Sequence, residues 1–244
     1  MKITTDALIV RENNNIGESD RFVTALTRDC GVIRASVRGA RNIKNRNHSA
    51  TQLLCYSRLS LYKGRDKYIV DDAEPLTVFF QLREQLDRLS LAQYFCELAG
   101  VLAPQEEPAE EALRLLLNSL HYLSENTRPL PLLKAVTELR LLCQAGYTPA
   151  LASCGGCGTQ NGGWFSPVKG VLLCDTCHGH TDALAVSPTV LSALRHIVYA
   201  PFERCFAFSI PETEAAALCD VTERFLLAQL GRGFNTLDFY HSIV

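Results

Sequence analysis

The chain has 244 residues, enough for one large or two to three small domains with a buried core, and its net charge of −2 says little by itself. It is 47% hydrophobic, but its longest apolar runs fall far short of the roughly 20 residues that a membrane-spanning helix needs. MKITTDALIV also lacks the apolar stretch of a secretory signal, and a chain this long and leucine-rich is no disulfide-stapled secreted scaffold, so its ten cysteines point to a reducing cytoplasm.

Charge is unevenly spread. Residues 1–80 carry 13 Lys/Arg against 9 Asp/Glu, the remainder 11 against 17, and Arg28–Lys67 alone 10 against 2. Such a split points to a basic module that meets a polyanion and a more acidic module with another role, although a solvated face can also carry a chance excess of one sign.

The first 75 residues read as strands: Ile3–Glu12, Asp20–Arg28, Val32–Arg38, Gln52–Lys63 and Lys67–Glu74. Turn signals separate them at 13–20, 29–31, 39–50 and 63–66. Five short strands in this length suit a small closed barrel, of which the oligonucleotide-binding (OB) barrel is the commonest; a split sheet or an SH3-like barrel satisfies the same pattern. In the third strand Ile33, Ala35 and Val37 alternate with Arg34, Ser36 and Arg38, so the aliphatic side faces a core and the arginines share the other face. Arg41, Lys44 and Arg46 follow in a polar loop that contains no acid. A cationic strand face continued by a cationic loop is what a surface tracking phosphates requires.

The fourth strand repeats the pattern, with Leu53, Cys55, Leu59 and Leu61 inward and Tyr56, Arg58, Ser60 and Tyr62 outward. Aromatic rings interleaved with arginine can stack unpaired bases. For either tyrosine alone, cross-strand packing on a half-buried sheet is the favoured explanation. Lys63, Arg65 and Lys67 extend the basic surface. Asp71, Asp72 and Glu74 raise the possibility of a metal-dependent nuclease, but they end a strand and no distant carboxylate group joins them.

After Pro75 the spacing turns helical. Phe79, Leu82, Leu86, Leu89 and Cys96 form one stripe, and Leu113, Leu116, Leu120 and Leu123 a second. Pro129 and Pro131 open a helix that runs to Ala145 and stops at Gly146. Ser187-Pro188 caps another, and a last long helix follows Pro211 and ends at Gly231, with an apolar tail that docks on the bundle.

Between these helices lies the most specific signal. Cys154-x-x-Cys157 and Cys174-x-x-Cys177 are 16 residues apart, the spacing of a four-thiolate zinc site. Gly155, Gly156 and Gly158 loosen the first knuckle, and GGWFSPVKGVLL reads as a hairpin carrying the second. Four thiolates leave no open position, so one Zn2+ here is structural, and His178 and His180 are surface residues. Reduced cysteines without metal are the alternative, and a stretch with this little core could hardly order itself that way. Loops and elbows that bind nucleotides or carry nucleophiles are missing from the sequence, so no catalytic residue is assigned. The fold class expected is α+β: an OB-type barrel over 1–76, then a helical domain over 77–244 with a zinc-binding insertion at 152–182.

DALIVRENNNIGESDRFVTALTRDCGVIRASVRGAR, GYTPALASCGGCG, GVLLCDTC and FNTLDFY together resemble the RecO family of bacterial DNA repair proteins along nearly the whole chain. The resemblance implies an OB barrel, a helical domain with a zinc site, and a cytoplasmic, nucleoid-associated recombination mediator without turnover chemistry. Such a protein binds single- and double-stranded DNA, anneals complementary strands, and works with RecR to load recombinase onto strands coated by single-stranded DNA-binding protein (SSB). It assigns Cys154, Cys157, Cys174 and Cys177 as ligands and Arg34, Arg38, Arg41, Lys44 and Arg46 as basic surface. An adaptor whose acidic helical part carries the function, with the barrel as scaffold, is the alternative from the residues alone.

Overall fold

A computed structural model describes residues 2–13, 20–40, 42–64, 67–179 and 182–244. The chain forms two compact units, Met1–Glu125 with Phe234–Val244, and Asn126–Gly233.

In the first unit β1 (Lys2–Asn13), β2 (Arg21–Thr27), β3 (Gly31–Val37), β4 (Cys55–Lys63) and β5 (Tyr68–Val78) close into a barrel of order β1-β2-β3-β5-β4. Only the β3–β5 pairing is parallel. The alternation expected from the sequence builds the interior: Ala7, Ile9, Val23, Ala25, Ile33, Ala35, Val37, Leu59, Leu61 and Val70 are buried together. This is the expected OB-type barrel, with three local differences. β4 begins at Cys55, because residues 51–54 form a turn in which Leu54 takes a positive φ. β5 runs through Pro75 to Val78, the missing amide being tolerated beside a register shift that leaves Leu76 of β5 unpaired opposite Tyr56 and Ser57. The expected loop at 39–50 contains a helical turn, α1 (Asn47–Ala50).

That turn closes one barrel mouth. Ala40 and Ala50 join the interior, and the Asn47 side chain accepts from the Ala73 amide at 3.1 Å. Arg21 opposes the inward Val37 and is buried, donating to the His48 carbonyl at 3.0 Å beside Glu12 at 3.5 Å. Outside the barrel Leu8, Leu26 and Val32 pair across three strands and are also buried, because α2 (Leu86–Leu102) and α3 (Glu110–Glu125) pack on β1 and β2.

α2 is buried on most of its circumference, so no single stripe describes it. Leu86, expected to point inward, is 57% exposed, because Gln85 is extended between a 3-10 turn at Phe80–Glu84 and the helix. Helical phase is therefore not carried from Phe79 and Leu82 into α2. The C-terminal tail forms α7 (Asn235–His241), which packs on α2: Phe234 meets Tyr94 edge-on at 5.9 Å, and Thr236 donates to Glu97 at 2.5 Å.

In the second unit α4 (Leu130–Gln144), α5 (Pro188–Tyr199) and α6 (Glu212–Leu230) pack together. The Ser187 hydroxyl caps α5 by accepting from the Val190 amide at 3.1 Å, and Gly231 ends α6 with a φ of 60°. Lys134 lies between α4 and α6 with 0% side-chain exposure, 2.7 Å from Glu138 and 2.6 Å from Glu223. Thr222 donates to Glu138 at 2.7 Å. Between α4 and α5 lies a small sheet of β6 (Ala150–Cys154), β7 (Trp164–Ser166), β8 (Val171–Leu173) and β9 (Leu184–Ala185), in the order β6-β8-β7-β9. No helix among the described residues is long and apolar enough to cross a membrane.

Candidate nucleic-acid interface and metal centre

Strand register decides which cations meet. Arg38 follows the end of β3, and the loop after it folds back so that Arg38, Lys44, Arg46, Asn47, Tyr62 and Asp71 line one groove of about 690 Å³. The Asn45 side chain holds the loop by donating to the Arg38 carbonyl at 3.0 Å, and the Asn42 side chain accepts from the Lys44 amide at 3.0 Å. Arg38 and Lys44 are exposed, and no ion pair engages either among the described residues. Arg46 pairs with Asp72 at 3.2 Å. Lys2, absent from the expected set because it precedes the apolar alternation, sits opposite Tyr62 on β1. It pairs with Asp71 at 3.1 Å, and that hydrogen bond is the main reason its ammonium pKa is raised.

Other expected residues lie elsewhere. Arg34 is exposed on the outer face of β3, opposite Thr24, which is itself opposite Arg11 on the far side of β2. These residues make a short cationic ladder. Alternation alone would place Arg11 inward with Ala7 and Ile9; the register shift between Ile9 and Arg11 turns it outward. Arg58 is bonded to Asp6 at 2.9 Å, an aspartate that Arg28 also approaches at 3.5 Å, and the Asp6 bond raises the Arg58 pKa. Lys63 pairs with Glu106 at 2.9 Å and is raised first by that bond. Tyr56 shares a strand face with Tyr62 but stands six residues away, roughly 20 Å along β4. It is half-buried beside Leu8, so the two rings are not neighbours. Lys67 is exposed, with its ammonium 5.0 Å from the centre of the Phe22 ring. Arg41 and Arg65 lie outside the described residues.

In the second unit the knuckles converge because β6 and β8 are parallel neighbours, each followed directly by one C-x-x-C turn. All four sulfurs lie within 4.8 Å of one another, and those of Cys157 and Cys174 are 3.7 Å apart. A tetrahedral centre with metal–sulfur bonds of about 2.3 Å has edges of about 3.8 Å, so this set can hold one metal ion. The Cys154 sulfur accepts from the amides of Cys174 at 3.3 Å and Gly156 at 3.4 Å. Burial raises the Cys154 thiol, but the amides of Cys157, Gly156 and Cys174 outweigh it and bring the pKa down to about 6. Cys177, hydrogen-bonded to the other three sulfurs, is pushed up to about 12. Gly156 has a specific reason to be glycine: a Cβ there would stand 2.9 Å from the Cys177 sulfur.

The hairpin of β7 and β8 carries the second knuckle as expected. His178 stacks flat on Trp164, centroids 4.0 Å apart, while the Trp164 indole donates to Asp175 at 2.8 Å. His180 is outside the described residues. The module is tied to the helices of its own unit by Phe165 edge-on to Phe225 at 5.5 Å, by Gln229 donating to the Pro167 carbonyl at 2.8 Å and by Arg195 donating to the Leu151 carbonyl at 2.9 Å.

A family profile described as "Recombination protein O N terminal" matches residues 1–79, and one described as "Recombination protein O C terminal" matches residues 83–238. The DNA repair protein RecO of Symbiobacterium thermophilum is 36% identical over 98% of this chain and 96% of its own length. That of Acetivibrio thermocellus is 34% identical over 99% and 97%, and that of Alkaliphilus metalliredigens 30% identical over the whole of both. With the barrel and the helical part both matched and relatives aligned nearly end to end, the chain belongs to the RecO family of DNA repair proteins.

Proposed function

We propose that this protein is a recombination mediator without turnover chemistry. It binds single- and double-stranded DNA along the basic barrel face, anneals complementary strands, and acts with RecR to load recombinase onto SSB-coated DNA in the bacterial cytoplasm and nucleoid. The observation that carries the reading is the groove at the end of β3, where Arg38 and Lys44 stand exposed and unpaired among the described residues beside Tyr62. Charges not already matched by carboxylates are the ones that can release counterions from a phosphate backbone. Arg34 and Lys67 belong to the same proposed surface; Arg41 and Arg65, expected there from the sequence, lie outside the described residues. Arg46, Arg58 and Lys63 contribute less, since each must leave or share a carboxylate. Contacts to phosphate position a strand without reading its sequence, which leaves base edges free to pair with a second strand.

The ion in the four-cysteine centre is zinc in this reading. Soft thiolates in a closed tetrahedron favour it, and the lack of an open position gives it a structural role. The test is annealing of complementary oligonucleotides by the protein with Arg38, Arg41 and Lys44 changed to alanine. Annealing should slow markedly, and single-strand affinity should show a log–log salt slope shallower by about 0.7 for each phosphate that the variant no longer neutralises. An unchanged annealing rate removes the mechanism. A wild-type protein that binds no oligonucleotide at near-physiological salt makes the chain a protein-interaction adaptor instead.

A further inference from the structure

Strand pairing sets one row of residues around the outside of the barrel. Tyr62 on β4 is opposite Ile69 on β5, Ile69 is beside Ser36 on β3, and Ser36 is opposite Phe22 on β2. Opposed residues share a face, so two aromatic rings stand at the ends of a low floor made by Ile69 and Ser36. Tyr62 is 45% exposed; Phe22 and Ile69 are half-buried. Each ring carries a lysine: Lys2 is 5.9 Å from the Tyr62 centroid and Lys67 is 5.0 Å from that of Phe22. Arg38, two residues beyond Ser36 along the chain, lies on the same side of the row, and it shares the groove with Tyr62 and Ile69.

We infer that Phe22 and Tyr62 are the two ends of a stacking strip for unpaired bases, which makes this face selective for single-stranded nucleic acid over duplex. The inference rests on the DNA-binding reading above and adds to it the form of nucleic acid that the face takes. Three strand-to-strand steps of about 4.8 Å put the rings roughly 14 Å apart along the surface. A stacked strand rises about 3.4 Å per nucleotide, so the strip spans roughly four nucleotides, the smallest site size of an OB barrel. Lys67 over the half-buried Phe22 ring is held weakly, so an incoming base displaces it, whereas Lys2 is also bonded to Asp71 at 3.1 Å and stays beside Tyr62. The freed Lys67 ammonium can then meet a backbone phosphate. A duplex hides its base faces between neighbouring pairs and gains nothing from the rings. The ladder of Arg11, Thr24 and Arg34 has no ring and makes no such distinction.

The test compares three labelled ligands with full-length protein at fixed salt: a single strand of roughly 16 thymidines, a strand of the same length in which abasic sites replace the bases, and a blunt duplex. Phe22→Leu and Tyr62→Leu keep apolar cover and remove a ring; Phe22→Trp keeps a ring. Each leucine variant should weaken binding of the thymidine strand by about fivefold to a hundredfold, the range of one base stacked on one aromatic ring. Neither should change affinity for the abasic strand or the duplex, and Phe22→Trp should bind as the parent does. Tyr62 is the more exposed ring, so its variant carries the test if Phe22→Leu fails to fold. Equal losses on all three ligands, or no loss on the thymidine strand, overturn the strip while leaving DNA binding in place. A parent protein that binds none of the three ligands overturns the DNA-binding reading itself.

Discussion

The barrel and the four-cysteine module are both small β-structures, and they hold together by different means. The barrel buries a continuous interior of aliphatic side chains from all five strands, closed at one mouth by α1. The module's own cluster is Cys154, Leu173 and Cys174 with Trp164, Val171, Cys177 and Ala183 packed around it, so its ligands are much of its core. A sheet with two- and three-residue strands cannot offset the entropy of ordering such a loop by burial alone. Order in the barrel comes from alternation, whereas the module gathers four sulfurs that can hold one ion. The barrel can therefore carry unmatched charge on its surface without depending on any ligand.

The largest break in this comparison should come from metal removal. Small zinc modules owe about 10–16 kcal/mol of apparent binding energy to their ion, so chelation should unfold the module and destabilise Asn126–Gly233 through Phe165, Gln229 and Arg195. The chain has a single tryptophan, Trp164, stacked beside the cluster, so its emission should change with chelator while barrel circular dichroism persists. Melting that chelator leaves unaltered would contradict the dependence on metal.

Next in size is Lys134→Ala, which strands Glu138 between α4 and α6 and should cost about 3–5 kcal/mol in chemical denaturation. Burial lowers the Lys134 ammonium, but Glu138, Cys219 and Glu223 more than offset this and raise it above its ordinary 10.5. A raised folded pKa gives stabilisation that is complete below the ordinary value and lost as pH climbs through the folded one. The Lys134 contribution should thus be flat from about pH 6 to 9 and disappear only in strong alkali. A marked loss between those values would mean that another group titrates there.

Leu61→Ala removes a fully buried barrel side chain and should cost about 2–5 kcal/mol, with no added sensitivity to chelator. If this variant becomes chelator-sensitive, the two regions are not independent in the way proposed. Smallest in stability is Arg38→Ala, expected within about 0.5 kcal/mol of the parent because the side chain is exposed and unpaired among the described residues. Its effect should fall instead on DNA, as weaker binding and a salt slope shallower by about 0.7. A stability loss above about 1 kcal/mol, with binding unchanged, would make Arg38 a structural residue.

Much of this was legible from local signals. Alternation in β3 and β4 identified the barrel and its inward residues, since a strand turns every second side chain to the same face whatever it pairs with. The C-x-x-C spacing identified the four donors, because a short turn allows few arrangements of two sulfurs. Ser187 and Gly231 marked helix ends for equally local reasons. Leu86 misled because periodicity was carried across an extended residue, Gln85, that no propensity marks.

By itself, then, the sequence determined a five-stranded basic barrel, a helical remainder and a four-thiolate centre, all consequences of periods and spacings within short stretches of chain. Only the tertiary structure decided which cations act together. Register across strands set Arg58 against Asp6 and Arg46 against Asp72, left Arg38 and Lys44 unpaired in the groove among the described residues, turned Tyr56 toward Leu8, and brought Phe22 into line with Tyr62. Those relations join residues up to 52 positions apart, as Asp6 and Arg58 are, and an offset of one residue would put each side chain on the opposite face.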